Sequence, residues 1–226
     1  MSDQKIPEEK LLQAYDRMEA PQSWMVMEAE VSNLVRLHDK HKDEFWGREG
    51  VQLTLLPFYL KAVINSIKAY PRMNAVWSAQ AVEIKPGINL DLTIMAGDRW
   101  GAALLEHADR ISLAGFAHIQ EKIHRRTSAN PSANVLSNMG TFGVKIVTGT
   151  GSILSAPAIS KPQTASLSFE SIMQRAIFVN DSLTKSLLIN LCLSFDRRAV
   201  YEAYCAKFLQ LVKKNLEEYV LEELIY

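Results

Sequence analysis

The chain has 226 residues, 48% hydrophobic and 22% charged, the composition of a soluble globular domain and not of a disordered or membrane-spanning chain. Its 25 basic residues balance 25 acidic ones, and apart from His124-Arg125-Arg126 it has no basic block, so nucleic acid and anionic membrane are poor partners. Zero net charge removes the self-repulsion that keeps monomers apart, which favours an assembly.

The first 18 residues are charged and lack an apolar signal core, and no run approaches the ~20 apolar residues of a span. The two cysteines, Cys192 and Cys205, stand in neither secreted nor metal-binding spacing and read as reduced core residues, Cys205 with no helix N-terminus to activate it. A cytoplasmic protein is expected.

In chain order, Leu11, Leu12, Tyr15 and Met18 predict a helix over 8–18, entered after Pro7 and ended by Pro21. Residues 22–32, QSWMVMEAEVS, alternate as a strand, and a short helix through Leu34, Val35 and Leu37 follows. Over 54–71, Leu60, Val63, Ile64 and Ile67 have helical spacing between Pro57 and Pro71. Segments 74–84 and 88–97 read as an antiparallel hairpin turned at Lys85-Pro86-Gly87, with Ile88, Leu90, Leu92 and Ile94 on a buried face. Ser112 caps a helix over 112–126 that carries Leu113, Phe116, Ile119 and Ile123 on one stripe. Beyond the polar TSANPSAN stretch come short strands at 134–137, 144–148, 164–169, 174–179 and 186–195. A last helix holds Val200, Tyr204, Phe208, Val212 and Leu216 at intervals of four. The fold class is α+β, a mixed sheet flanked by helices in one domain over 1–226.

Few residues advertise chemistry. His38 and His41 lie on a charged helix without a third ligand, so they read as a solvated face and no metal is expected. Gly140, Gly143, Gly149 and Gly151 lack the strand, loop and Lys-Ser/Thr context of a phosphate loop and read as turns and bulges. Ser137, in Leu136-Ser-Asn-Met-Gly140, ends a strand ahead of a glycine turn and can aim its hydroxyl into a cavity as an oxyanion donor. The junction LSFDRRAVYEAYCAKFL, 193–209, runs from an apolar strand into an amphipathic helix and gathers Asp196, Arg197, Arg198, Tyr201 and Glu202.

Six stretches, 20–37, 55–77, 107–123, 136–144, 160–167 and 193–209, together resemble the catalytic domain of the dihydrolipoamide acyltransferases of 2-oxo acid dehydrogenase complexes, which has a chloramphenicol acetyltransferase-like fold. The resemblance covers about Lys5 to Leu216. It implies a trimer with its site between subunits, an acyl-CoA or carrier-protein thioester as substrate, and a larger cage docked through the C-terminal Leu224, Ile225 and Tyr226. Neither a lipoyl domain with attached lipoate nor a peripheral subunit-binding domain is expected in the chain. The family's last motif is Asp-His-Arg, two apolar residues, then Asp-Gly, and its histidine is the general base. Here Asp196-Arg197-Arg198-Ala199-Val200-Tyr201-Glu202 stands instead.

Arginine keeps its proton, with a pKa above ~12, so Arg197 does not replace that base. Asp196 and Arg198 match a structural ion-pair frame, and Ser137 matches the family's oxyanion serine. The expectation is an altered-site or non-catalytic oligomeric core, a pseudoenzyme that still binds CoA or pantetheine thioesters. The alternative is a repurposed acyl-CoA-dependent O-acyltransferase or related thioester enzyme of secondary metabolism. That enzyme would use Ser137 as oxyanion donor, Arg197 as electrostatic clamp and Tyr201 as acid/base, or a neighbouring subunit's histidine at position 107.

Overall fold

The structure is a computed structural model, and the residues described are 22–78, 81–96, 99–129, 139–179 and 181–219. The predicted helix at 8–18, the strand at 134–137, Ser137 and the tail residues Leu224, Ile225 and Tyr226 lie outside them.

The elements are β1 (Gln22–Glu30), α1 (Ser32–Glu49), α2 (Leu56–Ala69), β2 (Ala75–Ser78), β3 (Ala81–Ile84), β4 (Leu90–Ala96), β5 (Arg99–Leu105), α3 (Leu113–Ala129), β6 (Phe142–Ile146), β7 (Ala165–Phe169), β8 (Met173–Val179), β9 (Ser182–Asp196) and α4 (Glu202–Glu217). Seven strands form one mixed sheet in the order β1-β9-β7-β6-β4-β5, with β8 paired to the first half of β9. The β4–β6 and β6–β7 pairings are parallel and the others antiparallel, which bears out the mixed sheet flanked by helices.

Period-two alternation gives this sheet two different faces. Leu92, Val144, Leu167 and Leu193 stand in register across four strands and are buried beneath the helices. In the adjacent register row, one residue back on β4, β6 and β7 and one forward on the antiparallel β9, Asp91, Gly143, Ser166 and Ser194 make a row of small and polar residues on the other face. Helix α2 buries Leu60, Val63, Ile64 and Ile67, the stripe that its spacing predicts, with Pro57 in its first turn and Pro71 just past its end. Helix α4 seals the core with Phe208, Val212 and Leu216, while Val200 lies buried just before it.

Two expectations are corrected. The segments 74–84 and 88–97 are not partners: β2 pairs with β3 as a separate ribbon, and β4 pairs with β5. Asn74 is the reason, because its side-chain amide donates to the carbonyls of Lys85 (2.8 Å) and Gly87 (2.9 Å) and folds the Lys85-Pro86-Gly87 corner around itself. Strand β5 has no counterpart in the predicted elements. Gly101, Ala102 and Ala103 weaken its β signal, yet Gly101 is required where α3 crosses, since a Cβ there would lie 2.5 Å from Ile123 Cγ2. The helix expected to be short after β1 continues to Glu49, and His38 Nε2 donates to the Leu53 carbonyl at 2.8 Å to fasten it.

Candidate active site

Strand β9 enters the core through Leu193 and Phe195 and delivers Asp196, 1% exposed, at its last position. Three donors from Arg198 converge on the Asp196 carboxylate: the backbone N–H (2.9 Å) and Nε (3.0 Å) on Oδ1, and Nη2 (2.7 Å) on Oδ2. The Asp196 carbonyl accepts from the N–H groups of Ala199 and Val200, both at 3.0 Å, so one residue closes the turn with its backbone and its side chain. Its own N–H donates to the Thr164 carbonyl at 2.8 Å.

The Arg198 guanidinium lies over the Trp77 ring on β2, 4.4 Å from its centroid, a cation-π contact in addition to the ion pair. Hydrogen bonding to Asp196 holds its pKa above the ordinary arginine value. Arg72 reinforces the loop from the other side, its Nε donating to the Ala199 carbonyl (2.6 Å) and its N–H to the Tyr204 hydroxyl (3.2 Å). Within this clamp Arg197 is exposed, and Tyr201, 61% exposed, rests edge-on against Tyr204 at 5.7 Å. Among the described residues no side-chain hydrogen bond or ion pair engages Arg197 or Tyr201.

Residues 160–164 connect this junction to a group that sequence reasoning missed. Gln163, next to the Thr164 that holds Asp196, donates its side-chain amide to Asp91 Oδ2 on β4. The same oxygen accepts the Gly140 N–H at 3.1 Å. Asp91 Oδ1 is buried and has no partner among the described residues. Burial raises this carboxyl to about 6, against the opposing pull of the Gly140 and Gln163 hydrogen bonds. Alternation along β4 marks position 91 only as the non-core side; a lone acid flanked across the sheet by Gly143 and Ser166 is the signal that could have found it.

A carboxyl whose folded pKa exceeds its ordinary value of 3.8 is destabilised in its ionised form. That penalty is absent below about pH 4, grows as pH rises towards 6, and is complete above it. Asp91→Asn therefore stabilises the fold at pH 8 by ~1–2 kcal/mol, discounted for partial solvation, with the difference vanishing near pH 4. Paired thermal melts at the two pH values check this.

Two cavities flank the central strands. One, of about 280 Å³, is walled by Asp91, Gly143, Lys145, Gln163 and Ser166. The other, of about 990 Å³, lies between α1, the start of α2 and α3, lined by Leu53, Leu55, Leu56, Ile94 and Ile146 with Thr54 and Gln120. At its wall the Tyr59 ring stacks on Phe169 at 4.6 Å, and burial pushes its hydroxyl pKa up.

Cys205 does sit in the first turn of α4, contrary to expectation, but burial outweighs the helix terminus and pushes its thiol up to about 12. Cys192 is buried on β9 and likewise raised. Gly149 and Gly151 have positive φ and form turns, whereas Gly143 lies within β6, where a Cβ would come 2.6 Å from Ser166 Oγ. Among the described residues no cluster of three metal-ligating side chains occurs, and no helix is long and apolar enough to cross a membrane.

Comparison with known proteins decides the family. The profile for the 2-oxoacid dehydrogenases acyltransferase (catalytic domain) matches residues 4–224. The chain belongs to this acyltransferase family. It is 31% identical over 202 residues to the lipoamide acyltransferase component of the branched-chain alpha-keto acid dehydrogenase complex of Bacillus subtilis (strain 168), covering 89% of this chain and 48% of that one. A probable dihydrolipoamide acetyltransferase from Listeria monocytogenes 4b F2365 superposes with a TM-score of 0.86 at 31% identity, over 100% of this chain and 99% of the other. Chloramphenicol acetyltransferase, at 11% identity, shares the fold with a TM-score of 0.56 over 96% of this chain and 98% of that one. The chain spans about half or less of the length of the curated acyltransferases it matches.

Proposed function

We propose that this acyltransferase-family domain is the core of a homo-oligomer that binds CoA or pantetheine thioesters but lacks the family's general base. The observation that carries the reading is the junction after β9. Its frame is intact, with Asp196 and Arg198 locked together, yet the side chain between them is an exposed, permanently protonated arginine. In this reading Asp196 and Arg198 position the loop, Ser137 supplies the oxyanion hydroxyl, and Arg197 and Tyr201 occupy the places of the base and its partner.

Two further features support it. The 990 Å³ cavity sets an apolar wall of Leu53, Leu55, Leu56, Ile94 and Ile146 against the polar and charged His38, Asp39, Lys42 and Asp43 of α1, a size and mix of groups that suit a pantetheine arm. Trp24 and Val26 on β1, Ile153 and Leu154 in the loop after β6, and the register pair Phe178–Leu183 at the β8–β9 tip are exposed. Such apolar surface fits cover by neighbouring copies, as in a homotrimer. The cage docking assigned to Leu224, Ile225 and Tyr226 belongs to the same reading.

Light scattering and native mass spectrometry with added CoA test this. A trimer that retains CoA is expected; a monomer without affinity for CoA overturns the reading. A second reading, a repurposed acyl-CoA-dependent O-acyltransferase, is favoured by one observation, the Asp91 carboxyl at the smaller cavity.

A further inference from the structure

Asp91 is tied at once to two stretches of the acyltransferase resemblance. Its Oδ2 holds Gly140, of the 136–144 stretch, and Gln163, which precedes the Thr164 anchor of Asp196. Its Oδ1 is buried without a donor among the described residues, an arrangement that native proteins rarely leave unused. Beside it the chain is kept small: Ala102 and Ala103 on β5 and Gly143 on β6 line the same 280 Å³ cavity, and a Cβ at 143 would fill the space next to Ser166 Oγ. Further along the same register row, Ser194 Oγ is also buried and unpartnered among the described residues. The orphaned Asp91 oxygen and the missing side-chain volume point to an occupant that brings a hydrogen-bond donor.

We propose that Asp91 is the proton acceptor for a hydroxyl- or thiol-bearing acyl acceptor that enters the cavity between β4, β5, β6 and residues 157–166. The proposal rests on the second reading above. The acceptor X–H gives its proton to Asp91 Oδ1 as its oxygen or sulfur attacks the carbonyl of a thioester that, in this second reading, is presented at this cavity and not at the 990 Å³ one on the helix side of the sheet. The adduct collapses with cleavage of the C–S bond, and the departing CoA thiolate takes the proton back from Asp91. Acyl-CoA and X–H thus become X–acyl and CoA–SH, with the carboxylate regenerated. A carboxyl raised to about 6 is suited to this work near neutral pH. On β6, Lys145 is the other ionisable side chain lining the cavity, its ammonium 4.6 Å from the Trp100 ring centroid. Arg99 on β5 and Lys161 before Pro162 belong to packed elements but do not line it.

The test uses the purified full chain with acetyl-CoA as donor and dihydrolipoamide, glycerol or water as acceptor, following CoA release from pH 5 to 8, with CoA affinity measured in parallel by calorimetry. The expected result is a slow release that rises through about pH 6 and falls by ~10²-fold in Asp91→Asn, whose CoA affinity and trimer size stay unchanged. CoA binding with no release to any acceptor overturns the proposal while leaving the binding core standing, as does release indifferent to Asp91→Asn. Failure of both proteins to bind CoA overturns the binding core and the proposal together. If Asp91→Asn does not fold, the parent profile decides alone, and a rate without a limb near pH 6 is the contrary result.

Discussion

Restoring histidine and aspartate in the double variant Arg197→His, Tyr201→Asp raises CoA release from acetyl-CoA with dihydrolipoamide by ~10²–10⁴-fold over the parent, the usual worth of general-base assistance. The expectation is specific because the surroundings need no rebuilding. Asp196 already fixes the start of the loop through three Arg198 donors on its carboxylate and two N–H groups on its own carbonyl. Position 197 faces outward from that turn, and Tyr201 stands at the N-cap of α4, so neither substitution opens a cavity in the core. A stopped assay of free thiol, with CoA affinity held equal in both proteins, isolates the chemical step. Glu202 is exposed at the first helical position.

Arg198→Ala costs the fold ~2–3 kcal/mol. Asp196 is almost completely buried, and its charge is compensated chiefly by the Arg198 fork. Truncating one partner of a buried pair leaves the other uncompensated, typically at ~3–5 kcal/mol. The lower figure applies here because the Arg198 side chain is 37% exposed and the backbone N–H of residue 198 still reaches Oδ1. Loss of the Trp77 stack contributes to the same total. Urea unfolding of parent and variant checks the size. Arg197→Ala, one residue earlier and without a partner among the described residues, is the control expected to change stability by less than ~0.5 kcal/mol.

Much of this architecture is legible before any coordinates. The α2 stripe between two prolines, the alternation of Leu90, Leu92 and Ile94, and the four-residue repeat of α4 each carry a period that only one element satisfies. Pairing partners were less legible. The turn chemistry of Pro86-Gly87 suggests a hairpin, but the side chain of Asn74 captures the corner and sends the chain elsewhere. Strand β5 stayed hidden because the small residues that let α3 approach are the ones that dilute a strand signal. At the site, the motif around 196–201 was legible only through its resemblance to the family's last motif. Asp91 was not, since its significance comes from Gly140 and Gln163, 49 and 72 positions away, converging on one carboxylate oxygen.

The most direct measurement is a titration of the purified chain with acetyl-CoA, following heat of binding and free thiol in the same sample. The expected result is saturable binding with CoA released far more slowly than by Arg197→His, Tyr201→Asp. Release by the parent as fast as by that variant, or no binding at all, would contradict it.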